Sequence, residues 1–298
     1  MLIDAGDKGK VSQDPFKHQL QQLVPGASPN RTATIDVLVA SHPHEDHVAG
    51  IKWVLENYRV KKFFDNGKPY TPTYADIVTL VTAQSNLVSK KVKYFRIAND
   101  SVAVLTKADF CPRTDVNSWI LVPKGFGHAP NKNNNSVIVL VKFGETKLLF
   151  TGDAEKELEK QLLETEATKA KLSGARFYKV GHHGAEKSST APLLAELQLQ
   201  GAGASSGCKK EGKNKGHRHP RDSVLRRLTG ALPASPAGAM RTVHSGQAAT
   251  DKWTTTRIPP TLAVTPLDGP VLFVSDGTQV RHADAQIDPG RAACPQPN

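Results

Sequence analysis

The sequence has 298 residues and a mass of 32.2 kDa, which is enough chain for one large globular domain or two small ones. Its unbroken apolar stretches reach only four or five residues, as at 137–141, whereas a membrane helix needs roughly 20, so a membrane-spanning protein is excluded. Lys and Arg (39) exceed Asp and Glu (28), and the net charge of +11 favours nucleic acid or an anionic membrane surface as partner, although charge that serves solubility explains it equally well.

Short apolar strands alternate with helical segments over the first 200 residues, which predicts an α/β domain. Residues 1–6 have the pattern of a buried strand that ends in a turn, and we expect strands or a signal to precede them in a longer gene product. The pattern predicts further strands at 34–40, 60–64, 92–97, 136–143, 147–151 and 177–180, with a hairpin turn at Gly144-Glu145. It predicts helices at 49–58, 73–86, 154–170 and 190–199.

Beyond residue 201 Gly, Ala, Pro and Ser dominate the composition. A basic run at 208–221 precedes a predicted helix at 222–228, and strands are expected at 262–265 and 270–275. The tail, 283–298, is expected to be disordered. Three cysteines, at 111, 208 and 294, are too few and too scattered to predict a disulfide framework or a cysteine zinc site.

The segment 41–47, Ser-His-Pro-His-Glu-Asp-His, follows a predicted buried strand directly. In extended backbone His42 and His44 share a face and can reach one metal ion together, and the turn then carries Asp46 and His47 toward a second position. The alternative is that 41–47 is only a polar turn exposed to solvent. Side-chain packing, however, gives no reason for four potential metal ligands to occur in one turn. The segment therefore predicts a metal site.

Two later motifs follow predicted strands in the same way. Asp153 comes after Thr151-Gly152, where its carboxylate could bridge two ions or simply cap the helix that follows. The residues at 181–184 are Gly-His-His-Gly, and the glycines let the backbone approach an ion closely. This position favours a metal-binding histidine over a surface pair.

Together these motifs resemble those of the metallo-β-lactamase-fold hydrolases, and within that superfamily the hydrolase domain of ComEC-type competence DNA-channel proteins and their standalone relatives. The matching segments lie at 2–6, 41–47, 133–136, 150–153, 179–184 and 216–220. The resemblance implies an α/β fold of four layers, an αββα sandwich, with its first strands lacking or altered. It implies a single domain over 1–282, of which 201–282 follow the family poorly.

The resemblance also implies a centre of two divalent metal ions, and zinc fits the donor set best, with manganese next. Its ligands, carried over by position, are His42, His44, Asp46, His47, Asp153 and His182. The first two histidines hold one ion, Asp46 and His47 hold the other, and Asp153 bridges them. His182 completes the second site, with His183 as the alternative.

Other residues have more open roles. Asp4 would accept a hydrogen bond that orients the ligand turn. His128 is the one histidine placed to be a further ligand of the first metal, but the Asn-rich segment after it matches a variant in which no such histidine is expected. The candidates for a catalytic acid or for substrate binding are His217, His219, Asn135 and Ser136.

Two cations about 4 Å apart would lower the pKa of a bridging water and give hydroxide, which predicts a dinuclear metal-dependent hydrolase. The first hypothesis is a phosphodiesterase or nuclease acting on nucleic acid, since the lysines and arginines of 209–221 could neutralise phosphates. The second is a β-lactamase, lactonase or esterase acting on a small carbonyl substrate, with 61–130 as a pocket wall. A degenerate DNA-binding module is disfavoured by the complete ligand set. Without a signal peptide pattern, the expected location is cytoplasmic by default.

Overall fold

The computed structural model describes residues 1–30, 32–68, 71–86, 92–97, 103–105, 116–123, 126, 129–209, 212–283 and 294. Among the helices in these ranges, none combines the length and the apolar character that crossing a bilayer requires. Two sheets organise the described residues, one of four strands and one of seven.

The first sheet is wholly parallel, and its strands lie side by side in chain order. They are β1 (Leu2–Ile3), β2 (Thr34–Val39), β3 (Arg59–Asp65) and β4 (Lys93–Arg96). The helices of this half are α1 (Lys10–Leu23), α2 (Glu45–Val48), α3 (Ile51–Asn57) and α4 (Pro72–Ser85). In β2 the buried Leu38 belongs to the core shared with these helices, whereas Val37 and Val39 belong to the other core, because side chains alternate along a strand.

The second sheet contains seven strands. They are β5 (Ala103–Leu105), β6 (Val116–Leu121), β7 (Ile138–Phe143), β8 (Thr146–Phe150), β9 (Phe177–Lys179), β10 (Gly201–Ala204) and β13 (Leu262–Val264). Their spatial order is β13-β10-β9-β8-β7-β6-β5. Pairing is antiparallel from β5 to β8 and parallel from β8 to β13.

Helices α5 (Lys156–Glu164), α6 (Glu166–Leu172), α7 (Ala191–Glu196) and α9 (Asp222–Ala231) belong to this second half. Leu158, Leu193 and Leu225 on these helices share one buried core with strand residues such as Leu149. The result is the predicted αββα sandwich, in which each sheet carries helices on its outer face.

The remaining elements lie mostly in the last third of the chain. They are α8 (Asn214–His217), α10 (Thr265–Asp268), the antiparallel pair β11 (Arg241–Gln247) and β12 (Lys252–Ile258), and the antiparallel pair β14 (Leu272–Ser275) and β15 (Val280–Ala283). Short 3-10 turns occupy Lys132–Asn135 and Ala237–Ala239.

Most predicted elements are confirmed, including the hairpin of β7 and β8 around Gly144-Glu145. The single helix predicted at 154–170 is wrong: Thr165 has extended backbone (φ −92°, ψ 102°), and it ends α5 and begins α6. A threonine suits that position because its hydroxyl-bearing, β-branched side chain favours helix ends over interiors. Sequence patterns did not predict α1, the β11–β12 hairpin or β15.

One disulfide joins Cys208 and Cys294, whose Cα atoms lie 5.6 Å apart although 86 positions separate them in sequence. Their spacing did not predict this pairing, since only the folded chain brings the two residues together. Of the tail expected to be disordered, Ala283 ends β15 and Cys294 is described. The other residues of that tail lie outside the described part of the chain.

The parallel strands of both sheets bring several loops to one place. Asp4 follows β1, the segment 41–47 follows β2, Asp153 follows β8, and 181–184 follow β9. Two backbone hydrogen bonds fasten these loops across the sheets: Val137 N donates to Ser41 O (2.7 Å), and His182 N donates to Gly152 O (3.1 Å). Residues distant in sequence therefore meet at the carboxyl ends of the strands.

Candidate metal centre

The ligand turn 41–47 is held by Asp4, which lies beside it because β1 pairs with β2. One carboxylate oxygen of Asp4 accepts from Ser41 N (2.7 Å), and the other accepts from Ser41 Oγ (2.8 Å) and lies 2.7 Å from His47 Nδ1. Asp4 itself has a left-handed backbone (φ 61°). The structure thus places Asp4 beside the ligand turn.

Asp153 lies in a tight crossing of chain segments. A Cβ on the preceding Gly152 (φ 54°) would come within 2.9 Å of Ser41 Cβ and of Ser136 Oγ, so only glycine fits there. Asp153 N donates to Ser136 Oγ (3.0 Å), and the residue is 1% exposed. The alternative role as helix cap is not realised, because α5 begins only at Lys156.

Four imidazoles converge on the Asp153 carboxylate through their Nε2 atoms. His47 Nε2 lies 3.1 Å from Oδ1. The Nε2 atoms of His183, His42 and His182 lie 3.5, 3.7 and 3.7 Å from Oδ2. One buried carboxylate therefore forms the centre of the cluster.

The other ring nitrogen, Nδ1, of each of these histidines is held on the outer side. The partners of His42, His47, His182 and His183 are, in that order, Ser41 Oγ (3.1 Å), Asp4 Oδ2 (2.7 Å), Glu155 Oε1 (3.0 Å) and the backbone oxygen of Ser205 (2.8 Å). Carboxylate and carbonyl acceptors favour the tautomer that carries its proton on Nδ1, which leaves Nε2 available to a metal.

The closest group of donors is Asp46, His47, Asp153 and His183, whose ligand atoms lie within 4.8 Å of one another. His183 Nε2 is 3.3 Å from Asp46 Oδ2 and 3.1 Å from His47 Nε2. The sequence prediction placed His182 in this group and His183 second, whereas the structure brings the His183 ring to it. His44 lies next to His42, with its Nδ1 3.0 Å from His42 Nε2.

Electrostatics in this cluster suit a cation. Burial opposes protonation of His47, but Asp153 and Asp4 raise its pKa to about 10. Burial opposes protonation of His183 as well, and Asp153 raises its pKa to about 9. Although burial raises the pKa of Asp153, the charges of His47 and His183 hold it well below its usual value. The carboxylates thus stay ionised, and a divalent ion would replace protons on the imidazoles.

The donor set fits the metal ions implied by the sequence. Asp153 Oδ1 is buried, and although His47 Nε2 lies 3.1 Å away, it accepts no well-aligned hydrogen bond from the described residues. A charged oxygen in that state is costly unless a cation compensates it. Imidazole nitrogens with carboxylate oxygens suit zinc and also manganese.

Asparagines of the 3-10 turn Lys132–Asn135 contact His182 and its partner Glu155. Asn133 Nδ2 lies 3.3 Å from Glu155 Oε1 and 3.4 Å from His182 Nδ1. Asn134 Oδ1 accepts from Glu155 N (2.9 Å). Sequence reasoning missed both Glu155 and Asn133, and the only signal was their closeness in sequence to recognised motifs.

The remaining candidate residues of this segment are already bonded within the protein. Asn135 is fully buried and bonds the backbone N (3.1 Å) and O (2.8 Å) of Ala129. Ser136, also fully buried, holds Asp153. His128 lies outside the described residues. The structure therefore gives Asn135 and Ser136 a place in holding the loops together.

The described residues of the basic segment 209–221, namely 209 and 212–221, include a histidine next to the metal cluster. The His219 ring is 5.6 Å from the His182 ring, and the exposed His217 stacks on His219 at 5.6 Å. Burial, reinforced by the charge of His182, lowers the pKa of His219 to about 3. Two arginines of the segment pair with Asp251 in the turn between β11 and β12, Arg218 at 2.6 Å and Arg221 at 3.1 Å.

Residues 31–202, more than half of the chain, match the family model of the metallo-beta-lactamase superfamily. The chain belongs to this superfamily, and Asp46, His47, Asp153 and His183 form a potential metal site in it. The family resemblance predicted from the motifs is thereby confirmed.

The chain is similar in sequence to three curated proteins. The chain is 25% identical to ComE operon protein 3 of Bacillus subtilis (strain 168) over 235 residues, which are 76% of this chain and 27% of that protein. It is 27% identical to Recombination protein 2 of Haemophilus influenzae over 58% of this chain and 18% of that protein. It is 26% identical to Endoribonuclease ysh-1 of Neurospora crassa over 46% of this chain and 16% of that protein. The chain spans about a quarter or less of the length of these relatives.

Proposed function

We propose that the protein is a dinuclear metal-dependent phosphodiesterase that acts on nucleic acid. The observation that carries this proposal is the position of the basic segment, which lies against the metal cluster through the rings of His219 and His182, 5.6 Å apart. The names of the relatives support it, since one is an endoribonuclease and another a recombination protein.

Two lysines lie close to the ligand turn. Lys8 Nζ lies 2.9 Å from Glu45 Oε1 on the turn itself. Lys213, from the basic segment, lies 3.7 Å from Asp7, which follows β1. Lys213 and Lys215 are exposed. A polynucleotide with one phosphate at the cluster would place neighbouring phosphates near these ammonium groups, which release counterions on binding.

The chain's own residues prepare the site for hydrolysis. When bound, two divalent ions would activate a water molecule and stabilise negative charge on a phosphoryl oxygen. Asp153 stays ionised at the centre, while Asp4 and Glu155 fix the rings of His47 and His182. His217 is exposed at the edge of the cluster, where its ring could donate a proton to a leaving oxygen.

The substrate class is tested by one panel of assays. Purified protein is incubated with a DNA strand, an RNA strand, bis-p-nitrophenyl phosphate and a chromogenic β-lactam, with and without added zinc or manganese. We expect metal-dependent cleavage of a nucleic acid and of the phosphodiester. Salt-insensitive cleavage of the β-lactam or of an ester, without nicking of any nucleic acid, would overturn the proposal in favour of a small-carbonyl hydrolase.

The basic segment is tested by removing charge. Replacement of Lys209, Lys213 and Lys215 by alanine should flatten the salt dependence of binding to a phosphorothioate DNA strand, by ~0.7 to 0.9 in log–log slope for each lost phosphate contact. Turnover of bis-p-nitrophenyl phosphate should change little. A matched control removes three lysines that pair with glutamates on helices elsewhere, Lys52, Lys160 and Lys169. Equal slopes in both variants would contradict this role of the segment.

A further inference from the structure

The two histidines of the turn 181–184 have an unusual backbone. His182 (φ 44°, ψ 47°) and His183 (φ 54°, ψ 17°) both adopt the left-handed conformation, which residues with a Cβ atom seldom adopt because that atom crowds the following carbonyl oxygen. Such a backbone persists only where the surrounding structure holds it in place. The contacts that hold this turn therefore decide where both rings lie in the metal cluster.

Two side chains hold the residue that enters this turn, Gly181. Its backbone N donates to the hydroxyl oxygen of Tyr178 (3.0 Å), and its carbonyl oxygen accepts from Ser188 Oγ (2.8 Å). A Cβ on Gly181 would lie 3.0 Å from the same Tyr178 oxygen and 3.2 Å from Ala154 O, so the contact is close-packed. A tyrosine and a serine thus fix both backbone polar groups immediately before the strained histidines.

The tyrosine of this contact lies in the middle of β9. Tyr178 pairs with Leu149 of β8 on one side and Ala202 of β10 on the other, and it is fully buried. Its hydroxyl oxygen also lies 3.1 Å from Ser189 Oγ. A hydroxyl that accepts from Gly181 N keeps its own proton, which the serine oxygen can accept. The Tyr178 hydroxyl therefore links the start of the turn to the segment that follows it.

A buried carboxylate and an arginine hold that following segment, 188–190. Glu159, on α5, is fully buried, and its two oxygens accept from Ser189 N (2.6 Å) and Thr190 N (2.8 Å). Arg227, on α9, donates to the backbone oxygens of Ser188 (3.0 Å) and Ser189 (3.1 Å). Two helices thus fix the segment that the tyrosine hydroxyl contacts.

We propose that Tyr178 is a positioning residue of the metal centre. Its hydroxyl holds the Gly181 peptide and thereby keeps His182 and His183 in the backbone that brings their rings to Asp153. Without this hydroxyl the buried Gly181 N would lose its acceptor, and the turn could relax toward an ordinary backbone. The proposal rests on the metal centre of the proposed function and not on its substrate.

Metal affinity in two matched tyrosine variants tests this role without an activity assay. Y178F removes the hydroxyl and keeps the ring. Y58F is the control, because Tyr58 is equally buried and its hydroxyl donates to a backbone oxygen, that of Val24 (3.1 Å), but it belongs to the other core. Competition with a chelator gives the affinity for Co²⁺, and the cobalt absorption spectrum reports the coordination. Urea unfolding of the metal-free proteins gives the loss of stability.

We expect Y178F to bind Co²⁺ about 10–100-fold more weakly than the unmodified protein, with an altered absorption spectrum, as is typical when a residue that orients metal ligands is lost. Y58F should keep the affinity and the spectrum even if its stability falls as much. S188A removes the other hydrogen bond to Gly181 and should weaken Co²⁺ binding in the same way. It decides the matter if Y178F does not fold by circular dichroism.

Unchanged affinity and spectrum in Y178F, or equal weakening in Y58F, would overturn this role of Tyr178 and leave the metal centre intact. An unmodified protein that binds no Co²⁺ would overturn both. Failure to cleave nucleic acid would affect only the proposed substrate.

Discussion

Four imidazole nitrogens lie within 3.7 Å of the Asp153 carboxylate, and they come from two segments that are more than 130 residues apart in sequence. At the scale of single residues, this carboxylate is the group that lies next to all four of these rings. Its oxygen Oδ1 accepts no well-aligned hydrogen bond in the described part of the structure, so positive charge must stabilise it.

Asp153→Ala should therefore lower the metal content from two ions to one or none and abolish hydrolysis, because it removes the shared anionic ligand. Elemental analysis of the dialysed protein and the phosphodiesterase assay measure the two effects, and circular dichroism checks the fold. Full metal content and activity in this variant would show that the centre does not need a shared carboxylate.

At the scale of elements, the β14–β15 hairpin packs on β10 through one aromatic ring. A Cβ on Gly201 would lie 2.5 Å from Phe273 Cε1, whereas a Cβ on Gly203 would keep an ordinary distance of 3.6 Å from the same ring. Phe273 also packs against Phe177 (4.7 Å between centroids) and His282 (5.1 Å), so the ring has little freedom to move.

Gly201→Ala should consequently lower the free energy of unfolding by about 1–3 kcal/mol through overpacking. Gly203→Ala is the matched control in the same strand, and its effect should stay below about 1 kcal/mol. Urea unfolding followed by circular dichroism measures both values. Equal losses in the two variants would mean that the ring of Phe273 does not lie over Gly201.

The turn of the same hairpin predicts a dependence on pH. The backbone amides of Gln279 and Thr278 donate to Asp276 Oδ1, both at 2.8 Å, and lower its pKa to about 2. A carboxylate with a lowered pKa stabilises the folded state above its unfolded pKa of about 3.9, and this stabilisation is lost as the pH falls through about 2.

Asp276→Asn should therefore lower the melting temperature at pH 6, and its difference from the unmodified protein should shrink as the pH approaches 3. Thermal unfolding over this range measures the difference. A difference that stays constant with pH would show that the charge of Asp276 does not stabilise the turn.

At the scale of the whole molecule, the Cys208–Cys294 disulfide joins the residue just before the basic segment to a residue near the end of the given sequence. Cys294 N also donates to Pro266 O (3.1 Å), at the start of α10. Crosslinks of this kind restrict the unfolded chain and typically contribute about 2–4 kcal/mol, a large fraction of the roughly 5–15 kcal/mol by which a domain is stable.

The unfolded protein without reductant should expose one reactive thiol, that of Cys111, and three after reduction. A chromogenic thiol reagent in denaturant counts them. Reduction should also lower the free energy of unfolding, and Cys294→Ser should reproduce that loss. Three reactive thiols before reduction would show that the disulfide does not form in solution.

Local patterns of the chain predicted much of this protein. The strands β2, β7, β8 and β9, the ligand turn 41–47 and the position of Asp153 could all be read from the sequence, because strand alternation and the donors on one turn depend on near neighbours. The superfamily followed from the order of these motifs.

Only the tertiary structure decided the direction of each ring. His182 and His183 are adjacent in sequence, but their orientations depend on Glu155 and Ser205, 27 and 22 residues away along the chain. The Phe273 contact and the disulfide likewise join segments far apart in sequence. A local sequence pattern cannot predict these partners. A left-handed backbone allows several ring directions, and hydrogen bonds to other loops select one of them.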